Sequence, residues 1–165
     1  MTRRLIPYGR QFIDNSDVKA VSKTIRSGWI TQGPTIEFFE TKIAQKVGAK
    51  YAIAVANGTA ALHAACFAAG ISPGDEVIVP TLTFTASANC VLFCNGTPVL
   101  CDIDPTTLTI DLHDAERKIT KKTKAIIAVD FAGHSAEWDK LRLIAKKHNL
   151  ILIDDAAHAL GTKYK

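Results

Sequence analysis

Four short stretches of the sequence carry residues whose types could do chemistry together. Asn57-Gly58-Thr59-Ala60 stands between an apolar run and an Ala-rich segment. A glycine there permits an unusual backbone turn, and Thr59 with the following amides can direct donors at an anion. A helix starting at that point adds roughly half a positive charge. A phosphate would be well held, although a simple N-cap, with Thr59 satisfying the helix's own amides, suits the same residues. Asp154-Asp155-Ala156-Ala157-His158 ends the last apolar run. Neighbouring residues of a strand point to opposite faces, so only one of these acids faces a given crevice. Such an acid could bind a metal, a ribose or a protonated ring nitrogen, with His158 within reach; an acidic N-cap is the plain alternative. Thr83-Phe84-Thr85 offers a ring that could stack on a flat cofactor or plug the core. Asp130-Phe131-Ala132-Gly133-His134 brings a further carboxylate and imidazole. Asp130, Asp155 and His158 are conceivable metal ligands, but their spacing matches no compact metal motif.

The elements that must position these residues alternate between helical and extended patterns. Asp14-Asn15-Ser16-Asp17 offers N-cap chemistry ahead of Val18, Val21 and Ile25, and Ser27-Gly28 stops that helix. Gly33-Pro34 opens a second helix with Ile36, Phe39, Ile43 and Val47 on one face, closed by Gly48. Strands are expected at 51–56, 76–80, 98–102, 125–129 and 150–153, with an Ala-rich helix following Asn57-Gly58-Thr59 and running to Ala69-Gly70, and further helices over 85–95, 112–119 and 136–148. The strands are apolar throughout rather than alternating, the pattern of a parallel sheet covered on both faces. In such sheets ligands sit at the carboxyl ends of the strands, where all four stretches fall. A phosphate-type turn, an aromatic and an acid on one edge together make a site for a phosphorylated aromatic cofactor.

The chain has 165 residues, 47% hydrophobic and 22% charged, the make-up of an ordinary globular domain. Lys+Arg 20 against Asp+Glu 16 leaves a mild +4, and no basic stripe interleaves with aromatics, so nucleic acid is not an expected partner. The basic run Lys121-Lys122-Thr123-Lys124 reads as a solvated turn before a strand. No stretch reads as a signal peptide or membrane span, which points to a cytoplasmic protein without a membrane partner. Cys66, Cys90, Cys94 and Cys101 lie in apolar surroundings with no Cys-x-x-Cys pair, as expected of buried reduced thiols. No Gly-x-Gly-x-x-Gly follows the first apolar run, which disfavours a nicotinamide-binding domain.

The ordered set Ile30-Thr31-Gln32-Gly33-Pro34, Asn57-Gly58-Thr59-Ala60-Ala61-Leu62, Gly74-Asp75-Glu76-Val77-Ile78-Val79-Pro80, Thr83-Phe84-Thr85-Ala86, Asp102-Ile103-Asp104, Thr123-Lys124-Ala125-Ile126 and Asp154-Asp155-Ala156-Ala157-His158-Ala159-Leu160-Gly161 resembles the amino-terminal part of the DegT-type sugar aminotransferases. These enzymes use pyridoxal 5'-phosphate (PLP) on nucleotide-linked keto sugars. The similarity runs from about Ile6 to Tyr164. Ile6-Pro7-Tyr8-Gly9-Arg10-Gln11, Val129-Asp130-Phe131-Ala132-Gly133-His134-Ser135 and the final His158-Ala159-Leu160-Gly161 are similar to the branch that aminates a UDP-linked 4-keto-6-deoxy N-acetylhexosamine on the way to pseudaminic acid. Two departures bear on the sugar: that branch carries a Ser-Ala-Thr-Ser-type turn where Asn57-Gly58-Thr59-Ala60 stands, and the family often has Glu-Asp in place of Asp154-Asp155.

The resemblance implies a three-layer α/β sandwich around a mainly parallel sheet, like the large domain of type I PLP-dependent aminotransferases, here truncated. Residues 1–50 would form a helical arm and 51–165 a partial PLP-binding domain. It implies that Thr59 and Ala60 form the phosphate turn, that Phe84 stacks on the pyridine, that Asp155 pairs with the ring nitrogen and that His158 lies near the phenolic oxygen. An ionised Asp155 would keep that nitrogen protonated, because a nearby negative charge favours the cation. Tyr8 and Gly28-Trp29-Ile30-Thr31 fall where the sugar nucleotide is contacted. The family's Schiff-base lysine follows the Asp155 segment at a distance that Lys163 and Lys165 do not reach, so the chain carries no catalytic lysine and is expected to be inactive alone. Implied partners are the UDP-sugar, an amino donor such as glutamate, and either a second copy in a homodimer or a complementing carboxyl-terminal fragment. Two alternatives are a PLP-dependent sugar dehydratase, with His at the lysine position, and a non-catalytic folding or interaction module.

Overall fold

A computed structural model of the protein describes residues 10–165. These fall into two compact units, one ending at Ala54 and the other running Val55–Lys165. Tyr8 lies outside the described residues.

The first unit carries two helices. Helix α1 spans Asn15–Arg26 and starts on a reciprocal cap: Asp14 accepts from the Ser16 amide at 2.7 Å, while Asp17 accepts from the Asp14 amide at 2.9 Å. Val18, Val21 and Ile25 share its apolar side, yet all three are exposed and the helix buries no residue. Helix α2 spans Pro34–Val47, with Pro34 in its first turn and Gly48 closing it in the left-handed region. Gly33, at φ 123°, has two reasons to be glycine: its backbone angle, and Trp29, whose Cβ would stand 3.0 Å from any added side chain.

The second unit is a four-stranded parallel sheet between two helical layers. Its elements are α3 (Gly58–Ala68), β1 (Glu76–Pro80), α4 (Ala86–Phe93), β2 (Thr97–Cys101), α5 (Leu112–Arg117), β3 (Thr123–Val129), α6 (Trp138–His148) and β4 (Ile151–Asp155). The strand order is β2-β1-β3-β4, every pair parallel. Alternate residues feed two cores. Val77, Val79, Ala125, Ile127 and Ile153 pack under α3 and α4 with Leu62, Cys66, Cys90 and Val91. Ile78, Ile126 and Ala128 pack on the other face under α5 and α6 with Ala115, Trp138 and Leu141. The central strands are buried on both faces, as uniformly apolar runs require. Gly96 lets the α4–β2 turn close down: a Cβ there would meet Ile71 Cγ2 at 2.7 Å. All four cysteines are buried and free, with Cys66 and Cys90 Sγ atoms 3.4 Å apart between α3 and α4.

The expected strand at 51–56 is absent. Tyr51, Ile53 and Val55 are exposed, Ile53 by 82%, and the Ala54 amide donates to Glu40 Oε1 at 2.8 Å instead of to a ladder. An apolar run of strand length becomes a strand only when a neighbour satisfies its backbone, and among the described residues the sheet has four members, not five. Elsewhere the boundaries move by a few residues. The last strand runs on through both acids to Asp155.

Candidate functional site

The chain leaves β1 for a helix on one face and leaves β3 for a helix on the other, although β1 and β3 are neighbours. This divergence opens a crevice at the carboxyl ends of those strands. Four features meet that edge: the starts of α3 and α4, the turn after β3, and the end of β4.

Helix α3 begins at Gly58, capped by Asn57, whose Oδ1 accepts from the Ala60 amide at 2.9 Å. The cap is therefore Asn57, not Thr59. Among the described residues, the Gly58 and Thr59 amides donate to nothing. Gly58 has an ordinary backbone angle, which overturns the expectation of an unusual turn. A side chain added there would meet nothing within 4 Å, so what the glycine leaves is open space beside two free amides.

The two acids of β4 separate as strand geometry demands. Asp155 lies on the α3/α4 face and is buried; its Oδ2 accepts from the Ser87 hydroxyl at 2.6 Å, and its Oδ1 from the Ala157 amide at 3.3 Å. Ser87 is itself fully buried and lies 2.6 Å from the Thr83 hydroxyl. Asp154 faces the other way, into a pocket of about 420 Å³ with Asp130, Trp138, Arg142 and Tyr164 in its walls. Asp154 keeps an exposed side, yet desolvation within the pocket, then the charges of Asp130 and Asp155, push its carboxyl up to about 7.

Phe84 sits one residue before α4's cap, 72% exposed, its ring free for a flat partner rather than plugging the core. His158 is exposed too; its Nδ1 accepts from the Ala132 amide at 3.4 Å and its ring meets Phe131 edge-on at 5.7 Å. With Nδ1 accepting, a neutral ring carries its proton on Nε2 and presents a donor. Ala132 holds a left-handed φ of 53° in the short turn after β3.

The Asp130 amide donates to the Asp155 carbonyl at 3.2 Å, but the two carboxylates do not meet. Asp130 Oδ1 accepts from the Ala136 amide at 2.9 Å and from Trp138 Nε1 at 3.2 Å, on the α6 side. The trio Asp130, Asp155 and His158 does not converge, and no group of three metal-ligating side chains occurs among the described residues.

Gly28, Trp29, Ile30 and Thr31 belong to the first unit. Gly28 turns the chain at φ 80°, the Ser27 hydroxyl accepts from the Trp29 amide at 3.2 Å, and Ile30 lines an apolar groove of about 340 Å³ with Val21 and Ile25. Ser87 was not singled out in the sequence, and Thr83 stood there only as a neighbour of Phe84. Their signal was a four-residue spacing, about one helical turn, ending on a hydroxyl in a mostly apolar helix.

A buried carboxylate, an exposed aromatic ring and an uncovered helix start thus share one edge of a parallel α/β sheet. Residues 11–165 match the DegT/DnrJ/EryC1/StrS aminotransferase family, and the chain belongs to it. It is 44% identical over 160 residues to the spore coat polysaccharide biosynthesis protein SpsC of Bacillus subtilis (strain 168), covering 97% of this chain and 41% of that protein. Among solved structures, an aminotransferase from Psychrobacter cryohalolentis superposes with a TM-score of 0.89 at 38% identity, over 96% of this chain and 41% of that one. NtdA of Bacillus subtilis, solved with its bound cofactor pyridoxamine phosphate, superposes with a TM-score of 0.85 at 35% identity, over 90% of this chain and 35% of that one. The chain thus spans about two fifths of the length of these relatives. No described helix is long and apolar enough to cross a membrane.

Proposed function

We propose that this chain is the cofactor-cradling part of a PLP-dependent aminotransferase that aminates a UDP-linked 4-keto-6-deoxy amino sugar for surface polysaccharide. The observation that carries this reading is the Asp155 carboxylate, buried on the α3/α4 face at the strand end with one oxygen held by Ser87. The donor set suits the cofactor: free amides at Gly58 and Thr59 for a phosphate, an acid for a ring nitrogen, an exposed ring for stacking and an imidazole N–H for an oxygen anion. Bound there, PLP would supply an electron sink for moving an amino group between carbons.

The chain's own residues would then divide the work. Thr59 and Ala60, with the α3 dipole, would anchor the phosphate; Phe84 would set the ring plane. Asp155 would fix a proton on the ring nitrogen, and His158 would donate from Nε2 to the phenolic oxygen. Tyr8 and Gly28 to Thr31 would meet the sugar nucleotide, with glutamate as the amino donor. Lys165 Nζ pairs with Asp139 at 2.7 Å on the α6 side, which supports the reading that the covalent anchor is not among these residues. Residues 1–165 by themselves are expected to bind cofactor weakly and to turn nothing over; robust transamination by them would overturn that.

Equilibrium dialysis with pyridoxamine 5'-phosphate tests the site. The phosphorylated amine cannot form imines with surface lysines. Asp155→Ala should weaken binding about tenfold or more, the cost of losing a charged hydrogen-bond partner. Equal affinity in the two proteins would refute the cofactor assignment.

A further inference from the structure

Asp155 does not stand alone. Its Oδ2 is 2.6 Å from Ser87 Oγ, and Ser87 Oγ is 2.6 Å from Thr83 Oγ1. Ser87 has one hydroxyl proton. Spent on the carboxylate, it leaves the Ser87 oxygen as acceptor, so the proton between Ser87 and Thr83 must come from Thr83. The three side chains form a one-way chain of donors, Thr83 to Ser87 to Asp155. The Ser87 amide also donates to the Phe84 carbonyl at 3.1 Å. A single turn, Phe84 to Ser87, therefore sets the exposed aromatic ring with its first residue and the carboxylate with its last.

We propose that Ser87, backed by Thr83, is a positioning residue that locks the plane of the Asp155 carboxylate so that Oδ1 faces the ring nitrogen of a bound pyridine cofactor. The proposal rests on the cofactor reading above and adds the residues that aim its acid. Ser87 is fully buried, so it would act through Asp155. With the chain intact, no buried side-chain donor or acceptor among the described residues lacks a partner. Removing the Ser87 hydroxyl would leave Asp155 Oδ2 without its donor and free the carboxylate to turn toward the Ala157 amide.

The test pairs two ligands, pyridoxamine 5'-phosphate and its benzene analogue with CH in place of the ring nitrogen. Each is titrated into the 165-residue chain and its variants. Ser87→Ala should weaken pyridoxamine phosphate about tenfold and Thr83→Val about threefold, since the second keeps volume and breaks only the outer link. Both variants should bind the benzene analogue as the wild type does. In the cofactor-free wild type, the Ser87 hydroxyl proton should exchange slowly enough for NMR detection and should vanish in Ser87→Ala. Equal losses for both ligands would mean that Ser87 only shapes the pocket, and unchanged affinity for pyridoxamine phosphate would mean that it does nothing for Asp155. Either result overturns the proposal. If Asp155→Ala itself binds pyridoxamine phosphate normally, or the wild type does not bind it, the cofactor reading falls and takes this inference with it. A loss in Asp155→Ala without one in Ser87→Ala leaves that reading intact and removes this inference alone.

Discussion

Asp154 and Asp155 are neighbours in the chain, yet strand alternation places them in opposite environments. Asp155 faces Ser87, while Asp154 faces a second carboxylate, Asp130, across the α6-side pocket. The consequence for Asp154 is a carboxyl raised from 3.8 to about 7, through desolvation in the pocket first and the Asp130 and Asp155 charges next, an effect that solvent on its exposed side partly screens. Between those values the folded chain keeps a proton that the unfolded chain has released. Its contribution to stability therefore falls as pH rises through that window, and the penalty is absent below the unfolded value. Carboxylates held low act in the opposite sense. Asp114, tied by the Asp102 amide, Lys118 and Arg117, adds stability that is lost as pH falls below about 4. That contribution is common to both proteins in a comparison of wild type with Asp154→Asn. The variant should match wild type near pH 4 and surpass it near pH 8 in urea midpoint. A difference that does not change with pH would mean that Asp154 is not strained by its neighbours. The alternation was legible from two adjacent acids closing an apolar run, whereas the Ser87–Asp155 bond was not. It joins residues 68 apart, and no local pattern reports which hydroxyl a distant carboxylate will meet.

At the scale of elements, the start of α3 serves two masters. Asn57 caps the helix through the Ala60 amide, and the next two amides remain free. Stability and anion binding can therefore be separated at one position. Asn57→Ala removes the cap and should cost about 1 kcal/mol in chemical denaturation. Asn57→Asp keeps a good cap and adds a charge that the helix dipole favours, so stability should hold within a few tenths of a kcal/mol. That same charge stands beside the free amides and should weaken pyridoxamine phosphate severalfold. An Asp variant that binds the phosphate as well as wild type would show that the anion does not sit at this helix start. The stop and start chemistry of the helices was plain in the sequence: Asp14 and Asp17, Gly33-Pro34 and Gly48 all act as their types dictate. Residues 51–56 misled because periodicity measures apolarity, not pairing. Nothing local distinguishes Tyr51-Ala52-Ile53-Ala54-Val55-Ala56 from the runs that became β1 and β3. The difference is whether parallel neighbours supply a ladder on both sides.

Across the whole molecule, burial is divided unevenly between the two units. In the unit running Val55–Lys165, β1 and β3 carry side chains of 0% exposure on both faces, including Val77, Ile78, Val79, Ile126 and Ile127. In the unit ending at Ala54, α1 buries nothing and α2 buries only Ala44. A helix of 12 residues has little stability from its own hydrogen bonds, because nucleation is unfavourable and packing usually makes up the difference. Its amides should open far more readily than those of a central strand. Native-state hydrogen exchange read by mass spectrometry should therefore find α1 exchanging first and β1 and β3 last, with β3 amides approaching the free energy of global unfolding. Ile127→Ala, which leaves a cavity between β3 and the α3/α4 layer, should lower that ceiling by about 2–5 kcal/mol. The same substitution should leave the α1 amides, which open by local fraying, exchanging at their wild-type rate. Protection of α1 equal to that of β3, falling in step with it in the variant, would mean that the two units unfold as one cooperative body.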